Sequence, residues 1–381
     1  MKWLFLEAHD VWMFRESRPF AAGQAFVARS VFPPYPQTIA GVIRTSILEQ
    51  AGVDFEAYKE GRVDPALIKA IGLPGGNDHF ASLGALSLAG PYIARSVKGK
   101  VSRLLPAPND LMQAEDSTTK SLVYSIAAPA VETVPEGVTN LPFDQWHPVS
   151  PLAGSDSEGN PFEWKPVEGW LDENDVQAYL KGSTPTTVHK KADLVHTEEK
   201  IGLGMAHDIR KAKTGLLYSA EFVRPLTKAP DDQVGLLIGI NDEAVKLLTP
   251  GVFLIGGEGR SAFYREVPPP PAFPSVRPGR IKVILTTPAY FSGGWYPAEA
   301  GWETWVGPDA HLVSALVSKP ISISGWDLAQ KKPKPMRAFV PAGTVYYFEG
   351  AAPFTRPFTE TPPGEPDYGA MGYGGFVLSA W

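Results

Sequence analysis

The chain reads as an α+β protein, on three observations. Several segments alternate apolar and polar residues with period two, the pattern of half-buried strands. Helical patterns are fewer and short, and they fall among the strands. The 38 prolines and 37 glycines exceed ordinary usage, so short elements are joined by many irregular loops.

The elements follow in order. WLFLEA at 3–8 is a first strand: its acidic residue at position 7 and short apolar stretch are wrong for a signal peptide. The segment 10–44 then holds Arg15, Arg18 and Arg29, followed by Pro33, Pro34 and Pro36. A helix is expected over 38–50, with Thr38 as its N-cap, Ile39, Ile43 and Ile47 on one face, Arg44 on the exposed side and a stop at Gly52. A second helix is expected near 62–71, with Pro65 in its first turn. Strands are expected at 82–90, 216–223, 234–240, 281–285, 344–350 and 375–381. NDEAVKLL at 241–248 reads as a short helix stopped by Pro250. Residues 94–214 mix polar, Pro/Gly-rich and charged stretches and read as a large insertion.

Composition bounds the function. At 381 residues the chain has room for two ordinary domains. With 44% hydrophobic and 20% charged residues it is globular rather than disordered. The absence of cysteine excludes disulfides, thiolate metal sites and cysteine nucleophiles, and is compatible with a reducing cytosol. No apolar run approaches the length of a membrane span. The net charge is −6 and the pI is near 5.7, which argues against a free-standing non-specific nucleic-acid binder. Basic groups are nonetheless concentrated locally. Residues 319–337 hold Lys319, Lys331, Lys332, Lys334 and Arg337 against Asp327 alone.

Four constellations bear on chemistry. Arg15, Arg18, Arg29 and Arg44 around one loop and helix suit a phosphate cradle; pairing with Glu7, Asp10, Glu16 and Glu49 is the structural alternative. GGEGR at 256–260 allows close backbone approach to a ligand through Gly256, Gly257 and Gly259, with Arg260 adding charge; a plain β-hairpin is its alternative. It lacks the ending of a phosphate-binding P-loop. The glycine-rich tail 369–381 fits a loop packed on nucleic acid or a flexible lead-in to an edge strand. The basic stretch 187–213, with Lys200 and Arg210, fits an element lying across RNA or a solvated excursion.

Catalytic patterns are weak. The seven histidines form no HExxH and no dense metal pattern, and no GxSxG is present. His9 beside Asp10 suits an acid–base pair of a metal-independent ribonuclease, against the alternative of a strand-end histidine. The ten tryptophans alone would support a carbohydrate-binding reading.

Taken in order, FRESRPF (14–20), ARSVFPPYPQTIAGVIRT (28–45), GLLYSAEFVRP (215–225), GGEGR (256–260), VPAGTVYYFEG (340–350) and MGYGGFVLSAW (371–381) resemble the third-subunit family of the Cmr module. These are RAMP-superfamily proteins of type III-B CRISPR effector complexes. The resemblance spans nearly the whole chain and is weakest over about 110–200. It implies two ferredoxin-like, RRM-related domains with large loop insertions: 1–214, with an insertion over about 94–214, and 215–381, with glycine-rich loops. It implies a non-catalytic subunit that caps the crRNA 5′ tag in the cytoplasm, without cofactor or metal. The implied partners are crRNA, the large polymerase-like subunit, a RAMP backbone subunit and target RNA, with no membrane. Arg15, Arg18, Arg29 and Arg44 match the first motif; Gly256, Gly257, Gly259 and Arg260 match the glycine motif. Lys200 stands where an arginine is common, keeping the charge without the planar fork. Phe20, Phe26 or Phe32 would stack on splayed bases.

Overall fold

The computed structural model describes residues 1–17, 27–73, 83–130, 147–151, 154–206, 211–241, 247–327 and 331–381, with backbone alone at 203–206 and 211–218. Two antiparallel sheets organise these residues, in keeping with the α+β expectation. In the larger, the neighbours run Trp170–Asp172, Lys100–Pro106, Leu88–Val97, Asp232–Ile240, Lys2–Ala8, Ser261–Val267 and Gly251–Leu254. Leu4 sits opposite Ile238 on one side and Glu266 on the other. The pleat sends Leu4, Leu6, Leu236 and Ile238 to one face and Phe5 and Leu237 to the other.

The helix Pro36–Gln50 covers the first face with Ile39, Ile43 and Ile47. Each buried isoleucine contributes roughly 1.5–3 kcal/mol relative to exposure. The helix begins two residues before the expected cap. Tyr35 is the extended N-cap, without a side-chain cap bond, and Pro36 opens the first turn. Proline presets the helical φ there and lacks only an N–H that would have had no intrahelical partner. The next helices, Phe55–Lys59 and Pro65–Ile71, are capped by Asp54 and Asp64. The strand expected at 82–90 instead spans Leu88–Val97. The helix expected at 241–248 lies largely outside the described residues.

The smaller sheet has the order His311–Leu316, Val345–Ala351, Gly279–Leu285 and Phe376–Ala380. Its core is aromatic: Phe291, Trp302, Tyr346 and Phe358 meet with ring centroids 5.3–6.2 Å apart. Trp302 and Trp305 are therefore occupied in packing, which removes them from any carbohydrate surface.

The expected boundary at 214/215 falls inside the larger sheet, because Asp232–Ile240 and Ser261–Val267 flank the N-terminal strand. Leu88–Pro106 also belongs to this sheet rather than to an insertion. The proline-rich segment 268–278 crosses to the smaller sheet; on the way the Pro271 carbonyl accepts from Arg103 Nη2 at 2.6 Å. Part of the region 107–180 is tied to the smaller sheet by a buried network. Asp110, in a turn, accepts hydrogen bonds from Lys282 Nζ (2.9 Å), Tyr179 Oη (2.6 Å) and Tyr347 Oη (2.7 Å). Tyr179 lies on the helix Glu173–Leu180, which Asp172 caps.

Candidate nucleic-acid interface

A third sheet builds the site. The long strands Val195–Ala206 and Lys211–Pro225 form an antiparallel pair, and Val27–Ala28 adds to the second of them in parallel. Glu198 sits opposite Phe222 and Lys200 opposite Ala220. Alternate residues therefore present Glu198, Lys200, Phe222 and Arg224 on one face.

Loop 9–17 runs along the edge of the strand Lys211–Pro225. Trp12 exchanges backbone hydrogen bonds with Val223, at 2.8 Å each way, and Arg15 bridges to Ser30. Val11 and Met13 pack with Ala28, Ala220 and Phe222 in a small core of their own. From the other side comes the hairpin that joins Gly251–Leu254 to Ser261–Val267, with GGEGR at its turn. Its Gly257 N–H donates to the Met13 carbonyl at 2.8 Å. Gly256 has φ +81°, and a Cβ there would press on that same carbonyl oxygen. Gly259 has φ +62° and open space where a Cβ would lie. Among the described residues, no backbone acceptor takes the Glu258 and Gly259 N–H groups. Such N–H pairs in a tight turn suit an anion.

The charges converge on Phe222. Lys200 Nζ lies 4.8 Å from its ring centroid, and the Arg260 guanidinium lies 4.8 Å from the same centroid. Arg224 pairs with Glu198 and, at 2.8 Å, with Asp10; Arg260 Nη1 is 3.6 Å from Asp10. Three cations thus face two carboxylates. The Arg224 hydrogen bonds hold both the Asp10 and Glu198 carboxyls below their ordinary range.

The sequence-selected residues divide accordingly. Lys200, Arg260, Gly256, Gly257 and Gly259 come together. Arg15 lies exposed on the adjoining loop, whereas Arg29, exposed just past the strand Val27–Ala28, lines a cavity with Glu16, Glu199 and Glu221 on the other face of the sheet. Arg18, Arg210, Phe20 and Phe26 lie outside the described residues. Arg44 is not on the exposed side of its helix. It is half-buried and donates from Nη2 to Tyr58 Oη at 2.6 Å, and Tyr58 in turn donates to the Gly72 carbonyl at 2.7 Å. Phe32 is buried, stacked on Trp12 with centroids 6.2 Å apart, so its ring is not open to a base. Asp10 faces arginines, while His9 is exposed and its backbone N–H donates to the Ser261 carbonyl. The glycine-rich tail packs inside the protein: a Cβ on Gly372 or Gly374 would strike the backbone of Gly90 or Phe358. Sequence reasoning missed Arg224 and Phe222. The period-two alternation of HTEEK and AEFVR was the signal that could have found them.

No helix among the described residues is long and apolar enough to cross a membrane, and no group of three or more metal-ligating side chains occurs among them.

The family model for the CRISPR-associated protein Cas_Cmr3 matches residues 4–381. No curated protein matches. Two similar solved chains come from cryo-EM structures of the type III-B Cmr-beta, one bound to cognate target RNA and AMPPnP (state 1) and one bound to cognate target RNA. Each is 16% identical, covers 91% of this chain and 86% of its own, and gives a TM-score of 0.49.

Proposed function

This chain belongs to the Cas_Cmr3 family of CRISPR-associated proteins, and from that premise we propose that it is a non-catalytic RNA-binding subunit of a type III-B effector complex. It caps the 5′ tag of the crRNA and bridges the large polymerase-like subunit to a RAMP backbone subunit, in antiviral defence in the cytoplasm. The observation that carries this reading is the face on which Lys200 and Arg260 meet over Phe222, beside the open side of the GGEGR turn and the loop that holds Arg15. Guanidinium groups and turn N–H groups hold phosphates there, and no metal is needed for single-strand recognition. Arg29, among Glu16, Glu199 and Glu221 on the sheet's other face, is a separate proposed contact. Arg18 and Arg210, outside the described residues, are proposed as further RNA contacts, and Arg44 supports the grip by bracing its helix against Tyr58.

The strand orders support two ferredoxin-like halves. With 2–8, 88–97, 232–240 and 261–267 numbered in chain order, the neighbours run two–three–one–four. The strands 279–285, 311–316, 345–351 and 376–380 repeat that order, with the short helices Glu303–Val306 and Tyr368–Met371 at the two crossovers. In this reading the halves divide in the 268–278 segment.

The test is a reconstituted complex carrying Arg15→Ala, Arg29→Ala and Arg260→Ala together. Each lost charge-assisted bond is worth about 1.5–3 kcal/mol, so the crRNA tag should become sensitive to nuclease. Full assembly with an undiminished, protected tag would remove these residues from the role. The ribonuclease alternative is tested separately: purified protein is incubated with CRISPR repeat RNA in EDTA. Cleavage that is lost in His9→Ala would displace the non-catalytic reading.

A further inference from the structure

The cationic stretch 319–337 has no part in the tag grip described above, yet the fold carries it to the same loop. Its centre is a two-stranded hairpin in which Trp326–Asp327 pairs with Lys332–Pro333. The base of this hairpin is bonded to both ends of the arginine segment. Ser324 N–H donates to Ser17 Oγ at 2.8 Å, and Gln37, at the head of the helix Pro36–Gln50, donates from Nε2 to the Ser324 carbonyl at 2.6 Å. Ser324 Oγ and Gly325 O close the base against the Lys334 backbone, at 2.8 Å each.

We propose that this hairpin is a second RNA contact, on which Trp326 stacks a base of single-stranded RNA while Lys331 and Lys332 hold its flanking phosphates. The proposal rests on reading loop 10–17 as an RNA grip, which it extends at the Ser17 end. Trp326 leaves 57% of its surface exposed. Lys319, Lys331 and Lys332 are exposed as well. Lys334 differs: burial pushes its ammonium pKa down, so it braces the hairpin from inside.

Charge decides the class of occupant. The cores of protein–protein interfaces are depleted in lysine, whereas here lysines flank an indole that is the most exposed among the described residues. A flat ring between mobile ammonium groups suits a strand whose bases all offer a π-face and whose backbone carries the charge. Position agrees. Asp10 and Ser17 are seven residues apart, at most ~25 Å of extended chain. A strand held at Arg260 and Arg15 therefore reaches the hairpin within a few nucleotides.

The experiment measures binding of a fluorescent single-stranded RNA to the full-length chain by anisotropy, over a range of salt. Trp326→Ala should weaken binding roughly ten-fold, within the range reported for loss of one stacked base, and Trp326→Phe should keep most of the affinity. Lys331→Ala with Lys332→Ala should lower the salt slope by ~0.7 per lost phosphate contact. Arg15→Ala with Arg260→Ala reports on the tag grip itself. Full affinity in Trp326→Ala, with loss in the arginine variant, overturns the hairpin proposal and leaves the grip intact. No affinity in the unaltered chain overturns both. Unchanged RNA binding in Trp326→Ala combined with loss of a protein subunit from the assembled complex would make the hairpin a protein-docking element instead.

Discussion

At the scale of single residues, Asp10 sets the charge of the candidate site. It neutralises Arg224 and draws on Arg260, so it competes with any phosphate for the same guanidinium groups. Its pKa and that of Glu198 are lowered chiefly by Arg224. A depressed carboxyl keeps its pairing above the ordinary value of ~3.9–4.3 and loses it as pH falls through the lower folded value. The charge contributed by these two groups should therefore be constant between pH 5 and 8. Asp10→Asn mimics the neutral acid form at neutral pH. We expect it to tighten RNA several-fold and steepen the salt slope, as measured by anisotropy; weaker binding would show that Asp10 organises the arginines rather than competing for them. Arg44 gives the contrasting case. Tyr58→Phe strands its Nη2 and the Gly72 carbonyl, which should lower stability by ~1–2 kcal/mol in urea unfolding and leave RNA affinity unchanged. The residue types of the site were readable from the sequence, because arginine and glycine clusters stand out in a chain of net charge −6. The split between Arg44 and its neighbours was not, since it depends on Tyr58, fourteen residues away and brought close only by the fold.

At the scale of elements, two glycines of one turn are expected to behave differently. Gly256→Ala adds a Cβ against the Met13 carbonyl at φ +81°, so the turn must release the Gly257–Met13 bond or shift loop 9–17. Gly259→Ala meets only the backbone strain of a positive φ, about 1–2 kcal/mol. Calorimetry on the two variants should show the larger loss for Gly256→Ala, together with weaker RNA binding. A second element-level test concerns the network at Asp110, whose side chain is wholly buried against Lys282. Asp110→Ala leaves a buried ammonium without its partner, which should destabilise by ~3–5 kcal/mol. Adding Lys282→Met should recover much of that loss; a double variant no better than the single would place the energy in the tyrosines. Alternation placed the strands at 2–8, 232–240, 279–285, 345–351 and 376–380 to within a few residues, because it reports local burial, but it missed Lys100–Pro106, Val195–Ala206, Ser261–Val267 and His311–Leu316. The Asp110 network left no local pattern, since Asp110, Tyr179, Lys282 and Tyr347 are far apart in sequence.

At the scale of the whole molecule, the two sheets are not independent. The core cluster of the larger sheet, built on Leu4, Ile43 and Leu236, also contains Ile323, Phe339, Tyr368, Met371 and Tyr373 from the C-terminal third. Gly372 packs against the Gly90 carbonyl, and Thr287 Oγ1 donates to the Gly372 carbonyl at 2.8 Å. The position 214/215 falls inside the larger sheet for a separate reason: Asp232–Ile240 and Ser261–Val267, the two neighbours of Lys2–Ala8, both follow it in the chain. A fragment ending near residue 267 would expose the apolar faces that Phe339 and Tyr373 cover, so it should not reach a native state alone. The intact chain should instead unfold in one cooperative step, with calorimetric and van't Hoff enthalpies in agreement. A protease site engineered into 268–278 gives the sharper measurement. After cutting there, the halves should stay associated on gel filtration and unfold together, because the shared core and the Asp110 network remain. Separation of the pieces under native conditions would instead mean that the linker itself holds the halves together.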